Sequence, residues 1–163
     1  MKEGISFDTV RRVGLWALPM LLAVMVHLPV WTAGFAWDDA SLIGGHPRLG
    51  QPAFLIECFG RDYGQEFGAR QPQGYYRPLP MFLLSLLANT VPRVPLPFHL
   101  LQLALFAAVA ALVARVVRDA GSSPGWGCLA GCLYATHPAR AECAALSMDL
   151  PDLLVEGFLL LLL

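Results

Sequence analysis

The sequence predicts an all-α membrane protein that crosses the bilayer several times. Three observations carry this. The chain is 56% hydrophobic and only 14% charged, with mean hydropathy +0.57, far from the balance of a soluble domain. Its apolar residues fall in long blocks of helical length, separated by Pro, Gly and charged residues. Arg11 and Arg12 precede the first block and Arg115 and Arg118 close a later one, as the positive-inside tendency prefers, while Arg48, Arg61, Arg70 and Arg77 fall in a long loop that this tendency binds only weakly. A net charge of −1 supports no nucleic-acid partner.

The first span is predicted over about 13–35. Lys2, Arg11 and Arg12 precede it, like the n-region of a signal peptide, and Gly34-Phe35-Ala36 resembles a cleavage site. The apolar run is too long for a signal h-region, however, and Pro19 and Pro29 interrupt it. An uncleaved helix with a cytoplasmic N-terminus is therefore expected. His27, inside this span, is expected to be a neutral, hydrogen-bonded core histidine.

Residues 36–97 are predicted to form one long external loop. Within it, 79–91 is apolar but only 13 residues long, about 20 Å as a helix and too short to span. Pro78 and Pro92 bound it, so an interfacial helix is expected. Residues 98–117 make the second span, about 30 Å long. Charge parity agrees, because a non-crossing 79–91 places Arg115 and Arg118 in the cytoplasm. Gly121-Ser122-Ser123-Pro124-Gly125 then forms a cytoplasmic turn. A third helix, spanning in part over 126–148, begins near Trp126, and Gly127 and Gly131 give it a small-xxx-small face for close packing. To span, it must continue past Pro138 or start within the headgroups. A fourth begins near Asp152 or Leu153 and occupies 153–163. The run Leu159 to Leu163 has no polar flank, so the chain is expected to be the N-terminal fragment of a longer protein.

The cysteines offer little chemistry. Cys128 and Cys132 stand four apart in an apolar stretch, as small packing residues do. Cys58 and Cys143 are able to pair only if both face an oxidising compartment.

The candidate chemistry lies in the acids. Asp38 and Asp39 follow Trp37 just beyond the first span, where carboxylates stay ionised at the lipid–water boundary. Such a pair either ends a helix in solvent or removes a proton from an acceptor hydroxyl. The predicted topology puts Asp38, Asp39, Arg77, His137, Glu142, Asp149 and Asp152 on the same side of the membrane. His137 before Pro138 is expected to cap a helix end, and Glu142 to pair with Arg140 or Arg77. His137, Glu142 and Asp152 are suitable metal ligands, but their spacing matches no recognised pattern, so no metal is assigned.

Five short motifs occur in order: Phe35-Ala36-Trp37-Asp38-Asp39, Tyr76-Arg77-Pro78-Leu79, Phe98-His99-Leu100, His137-Pro138-x-x-x-Glu142, and Asp152-Leu153-Leu154. Together they resemble the N-terminal region of polytopic GT-C glycosyltransferases, in the protein O-mannosyltransferase-like (TMTC-type) branch. The resemblance covers about 35–158. It implies that 1–163 is the N-terminal part of a GT-C-like transmembrane domain in the bacterial inner membrane or the endoplasmic reticulum. It implies transfer of a mannose-like sugar from a polyprenyl- or dolichyl-phosphate donor to a hydroxyl of a protein or glycan acceptor outside the cytoplasm. Asp38 or Asp39 then matches the catalytic acid of the first loop, and Asp152 a second acid. Arg77, with Arg140, matches the cations that hold the donor phosphate, with Tyr76, His137, Glu142 and Asp149 in support. Asp149-Leu150-Pro151 also resembles the Asp-x-Pro of lipid A aminoarabinose transferases, so Asp149 competes with Asp152 for the second acid. Gln102 stands where the family often has Asn, and Phe106 where it often has a second His. The other classes open to the sequence are a non-catalytic membrane anchor with the same architecture and an ion- or proton-coupled membrane protein.

The topology is directly testable. With Arg77→Cys and Arg93→Cys introduced separately, both thiols should label from the same face of the membrane. Labelling from opposite faces would mean that 79–91 crosses, and would part the two acidic clusters.

Overall fold

A computed structural model describes residues 7–66, 71 and 73–163, with side chains from Leu15 onward. Every regular element among the described residues is helical. α1 (Phe7–Val26), α5 (Pro95–Asp119) and α6 (Pro124–Thr136) pack mutually as a three-helix bundle, and α8 (Leu150–Leu162) lies along α5. Between α1 and α5 the chain forms a layer of short elements: α2 (Phe54–Glu57), α3 (Tyr63–Glu66) and α4 (Pro78–Thr90). α7 (Ala141–Ala145) links α6 to α8.

Prolines set most helix ends. α4, α5, α6 and α8 each place a proline in the first turn, where the missing N–H costs nothing and φ is already helical. This starts α5 at Pro95, three residues before the expected span, and α8 at Leu150, ahead of the expected 153. The first span is shorter than its predicted 13–35. α1 stops at Val26 and a 3₁₀ turn, Leu28–Thr32, takes over with Pro29 inside it, because the residue before proline avoids the α region. For the same reason α6 ends at Thr136, before His137-Pro138, and does not continue through 148. It has 13 residues, about 20 Å. α5 is the helix long and apolar enough to cross a membrane among the described residues, with 25 residues and a mean hydropathy of 2.3 over its best window. α4 is the 13-residue helix expected over 79–91.

Two apolar clusters hold the fold. In the bundle, Ala23, Leu103, Phe106, Ala107, Ala110 and Ala135 are buried together. The abundance of alanine reflects how closely the axes approach. A Cβ at Gly127 would lie 2.5 Å from the Ala114 carbonyl oxygen, and one at Gly131 2.7 Å from that of Ala110 and 2.9 Å from Pro19 Cγ. The expected small-residue face of α6 is therefore seated on α5, with α1 touching the same spot. In the second cluster Leu42, Ile43, Phe54, Met81, Leu84 and Phe98 bury the layer against the start of α5. Ser85 Oγ donates to the Leu49 carbonyl at 2.9 Å, tying α4 to the loop before α2. In the same layer Glu66 is nearly buried and is engaged by Arg48, Arg61 and His46.

The outward faces are apolar too. Leu21, Met25, Leu133, Trp126, Val155 and Phe158 are all more than half exposed, on helices whose inward faces are equally apolar. His27 lies just beyond α1, buried and stacked on Phe106 at 5.2 Å between centroids. Its Nε2 has no hydrogen-bond partner among the described residues. All four cysteines are free thiols, so Cys58 and Cys143 are not paired.

Because the α5–α6 contact leaves no room for a Cβ, Gly131→Ala should destabilise the folded protein by about 1–3 kcal/mol. Gly125→Ala, whose added Cβ meets nothing closer than 3.9 Å, should be close to neutral. Thermal unfolding of the purified protein separates the two.

Candidate functional site

The site begins with a turn that ordinary backbone preferences oppose. Trp37 has φ +49°, in the left-handed region that a bulky residue rarely adopts. The reversal starts a helical turn in which the Asp39 amide bonds the Ala36 carbonyl and that of Ala40 bonds Trp37. A π turn, Ala40–Gly44, follows, closed by the Gly45 amide on the Ala40 carbonyl at 2.8 Å. The two adjacent acids consequently face different surroundings. Asp38 is exposed, and no hydrogen bond or ion pair engages its carboxylate among the described residues. Asp39 is completely buried.

The buried carboxylate has a structural partner 108 residues away. The backbone N–H groups of Ser147 and Met148 donate to Asp39 Oδ2 and Oδ1, both at 2.8 Å. The two bonds fasten the loop after α1 to the 3₁₀ turn Ser147–Asp149, which opens α8. Burial raises the Asp39 carboxyl above its ordinary range, while the two amides and nearby His99 act against that rise. His99 is itself buried, with its ring 6.2 Å from that of Phe35, and neither ring nitrogen has a partner among the described residues. Gln102, one turn further along α5, donates from Nε2 to the Cys143 carbonyl at 2.8 Å.

This fastening gathers the later acids. Asp149 precedes α8, Asp152 lies in its first turn, and Glu142 lies in the first turn of α7. Helix N-termini favour carboxylates, so each position is stable on its own account. Asp149 is pushed above its ordinary range, first by burial and then by the charges of Asp152, Glu142 and Asp39. The four acids therefore occupy one neighbourhood. A carboxyl raised in the folded state costs no stability below its ordinary range and a growing amount as pH climbs through the raised value.

Tyr63 connects this group to the cation. Burial pushes its phenol up to about 12; Arg77 opposes the shift, and Asp39, Asp38 and Asp149 reinforce it. The Arg77 guanidinium lies over the Tyr63 ring at 5.4 Å and the Tyr75 ring at 5.9 Å. Arg77 forms no ion pair among the described residues. Beside it runs an apolar groove of about 220 Å³ between the start of α4 and α8, lined by Leu79, Leu154, Val155 and Phe158, with Tyr76 and Arg77 at its polar side. The Tyr76 hydroxyl donates to the Phe59 carbonyl at 2.8 Å and so fixes the loop.

Two expected members are engaged by other partners. Arg140 is ion-paired with Glu156 and hydrogen-bonded to the Tyr134 hydroxyl, so its charge is spent inside the α6–α8 contact. The expected pairing of Glu142 with Arg140 gives way to Glu156 for the same reason. His137 Nδ1 accepts from the Ala139 amide at 3.2 Å and caps the turn after α6, as expected. Sequence reasoning missed Tyr63, which no spacing marks within the long loop, and Glu156, which stands one helical turn after Asp152 and was available as a partner. It also missed the roles of Ser147 and Met148, which act through backbone amides. Among the described residues, no group of three or more His, Cys, Asp or Glu side chains is arranged to hold a metal ion.

Asp39→Ala leaves two amides unpartnered in a buried place. It should cost about 2–5 kcal/mol and accelerate hydrogen exchange at Ser147 and Met148. Asp38→Asn should change neither quantity. Equal exchange in Asp39→Ala and the parent would remove Asp39 from its fastening role.

No protein-family model, curated protein or solved structure matches this chain.

Proposed function

We propose that this chain forms the acid-bearing, donor-binding part of a multi-pass membrane glycosyltransferase with GT-C-like architecture. It transfers a mannose-like sugar from a polyprenyl-phosphate donor to an acceptor hydroxyl on the non-cytoplasmic side. The observation that carries the proposal is the Asp39 fastening. It spends one acid of the pair on structure and leaves its neighbour Asp38 exposed, in the electrostatic neighbourhood of Tyr63, Arg77 and Asp149. The motifs that resemble the GT-C family supply the reaction type. The apolar outward faces of α1, α6 and α8 support a lipid setting.

The chemistry follows from the charges. The leaving group is a phosphate, which departs from the anomeric carbon with the bonding electron pair and needs cationic help more than a proton. Arg77 is suited to that task, since aromatic faces rather than carboxylates hold its guanidinium, leaving its N–H fork to a phosphate. The groove beside Arg77 offers apolar walls to the start of the polyprenyl chain. Asp38 takes the proton of the acceptor hydroxyl as its oxygen bonds the anomeric carbon. Asp152 and Asp149, on the opposing segment, bind hydroxyls of the sugar or acceptor. Arg140 has no part in the step, because Glu156 already neutralises it.

The test uses the full-length protein in liposomes, with sugar transfer from a polyprenyl-phosphate-linked mannose donor and donor binding measured separately. Asp38→Asn should lower turnover by about 10²–10⁴-fold with donor binding retained. Arg77→Ala should weaken donor binding. If transfer is measurable and Asp38→Asn retains full turnover, the base assignment fails. If the parent protein neither binds the donor nor transfers sugar, the transferase reading gives way to a non-catalytic anchor.

A further inference from the structure

A second cavity lies far from the cluster of Asp39, Glu142, Asp149 and Asp152. It has a volume of about 250 Å³ and sits where α1, α5 and α6 meet at the end of α5 that carries Arg115 and Arg118. Roughly 30 Å of helix separates it from Phe98, at the acid end of the same helix. Its lining is Leu15, Trp16, Ala114, Pro124, Cys128 and one cation, Arg118. Ala114 and Cys128 are buried, and Trp16 presents its ring face to the Arg118 guanidinium at 4.4 Å. Among the described residues the cavity is thus an apolar slot with a single charged group.

The charge at the slot is not balanced. Arg118 donates from Nε and Nη2 to Asp119 Oδ1 at 2.9 and 2.6 Å, and Arg115 donates from Nε to Asp119 Oδ2 at 3.2 Å. Among the described residues two guanidinium groups share one carboxylate, which leaves an excess of one positive charge. All three side chains are more than a third exposed, so an incoming anion reaches Arg118 without a buried pair having to separate. α6 starts beside it with Pro124 in its first turn and no side-chain cap from Ser123, which adds a positive helix end facing the same region.

We infer that this cavity is a binding site for an anionic phospholipid, with the phosphate on Arg118 and the glycerol and first acyl methylenes against Leu15, Trp16 and Pro124. The inference rests on the membrane setting proposed above, but not on the transferase reading. A lipid fits better than a free phosphate because the described lining carries one cation, Arg118, and is otherwise mostly apolar. A basic pocket between helices near a membrane face is where a headgroup gains both electrostatic and apolar contact.

The experiment compares retention of phosphatidylglycerol and phosphatidylcholine by the purified protein, using native mass spectrometry and thermal shifts in matched lipid–detergent mixtures. Phosphatidylglycerol should be held about fivefold or more tightly, as expected for one unbalanced cation near a membrane surface. Arg118→Gln should erase the preference and Arg118→Lys should keep most of it. Equal retention of the two lipids by the parent protein, or an undiminished preference in Arg118→Gln, would overturn the site. If Arg118→Gln does not fold, the lipid comparison on the parent protein still decides. Soluble glycerol 3-phosphate stabilising the protein as well as phosphatidylglycerol does would overturn the lipid assignment in favour of a simple phosphate site. Extraction of the protein from vesicles by alkaline carbonate would overturn the membrane setting itself, an outcome distinct from loss of lipid preference in a protein that stays inserted.

Discussion

Two hydrogen bonds to the Asp39 carboxylate hold the acid end of this protein together. A fully buried carboxylate is costly unless its lone pairs are used, and here each oxygen receives a backbone amide from the same 3₁₀ turn. The bonds close a loop of more than a hundred residues, so the segment after α1 and the start of α8 occupy fixed relative positions. The placement of Asp149, Asp152 and Glu142 beside the first loop is downstream of that closure. Asp38 gains its exposure from the same cause, because residues one apart in a tight turn point in different directions.

Much of the scaffold was legible in the sequence, for reasons that lie in particular residues. Pro78 and Pro92 bracket α4 because proline favours a helix start and restricts the residue before it. The Gly127 and Gly131 spacing foretold the α5–α6 contact because only hydrogen fits there. The end of α1 was misread. Hydropathy runs on to Phe35, but Pro29 stops the helical backbone well before that, and apolar content says nothing about dihedral angles. The site was legible as a set of acids on one side, not as an arrangement. The partners of Asp39 are main-chain N–H groups, which every residue but proline owns and no motif marks. Arg140 was assigned to Glu142 or to the donor phosphate because its actual partner, Glu156, lies sixteen residues on, and a pairing of that kind depends on the angle between α6 and α8.

A non-catalytic anchor would retain the Asp39 fastening, since that bond pair stabilises the fold whatever the protein does. Arg77 differs, a cation held on the faces of Tyr63 and Tyr75 without a carboxylate partner among the described residues. Aromatic faces steady a guanidinium while leaving its N–H groups unspent. The structural acid and the unspent cation thus weigh differently: one explains why the chain folds as it does, the other why it would bind an anion.

The contact between α5 and α6 has a mechanical consequence. Where backbone lies against backbone, neither helix has a side chain to rotate out of the way, so sliding or tilting would drive a carbonyl into a Cα. α1 touches the same place through Pro19, and the three helices behave as a single stiff wedge. α8 and α4 meet through long, deformable side chains such as Leu79, Leu154 and Phe158, with the groove between them. Compliance is therefore unevenly distributed. Any widening needed to admit a bulky guest falls on the α4–α8 seam, and the wedge serves as the fixed jaw against which that seam opens.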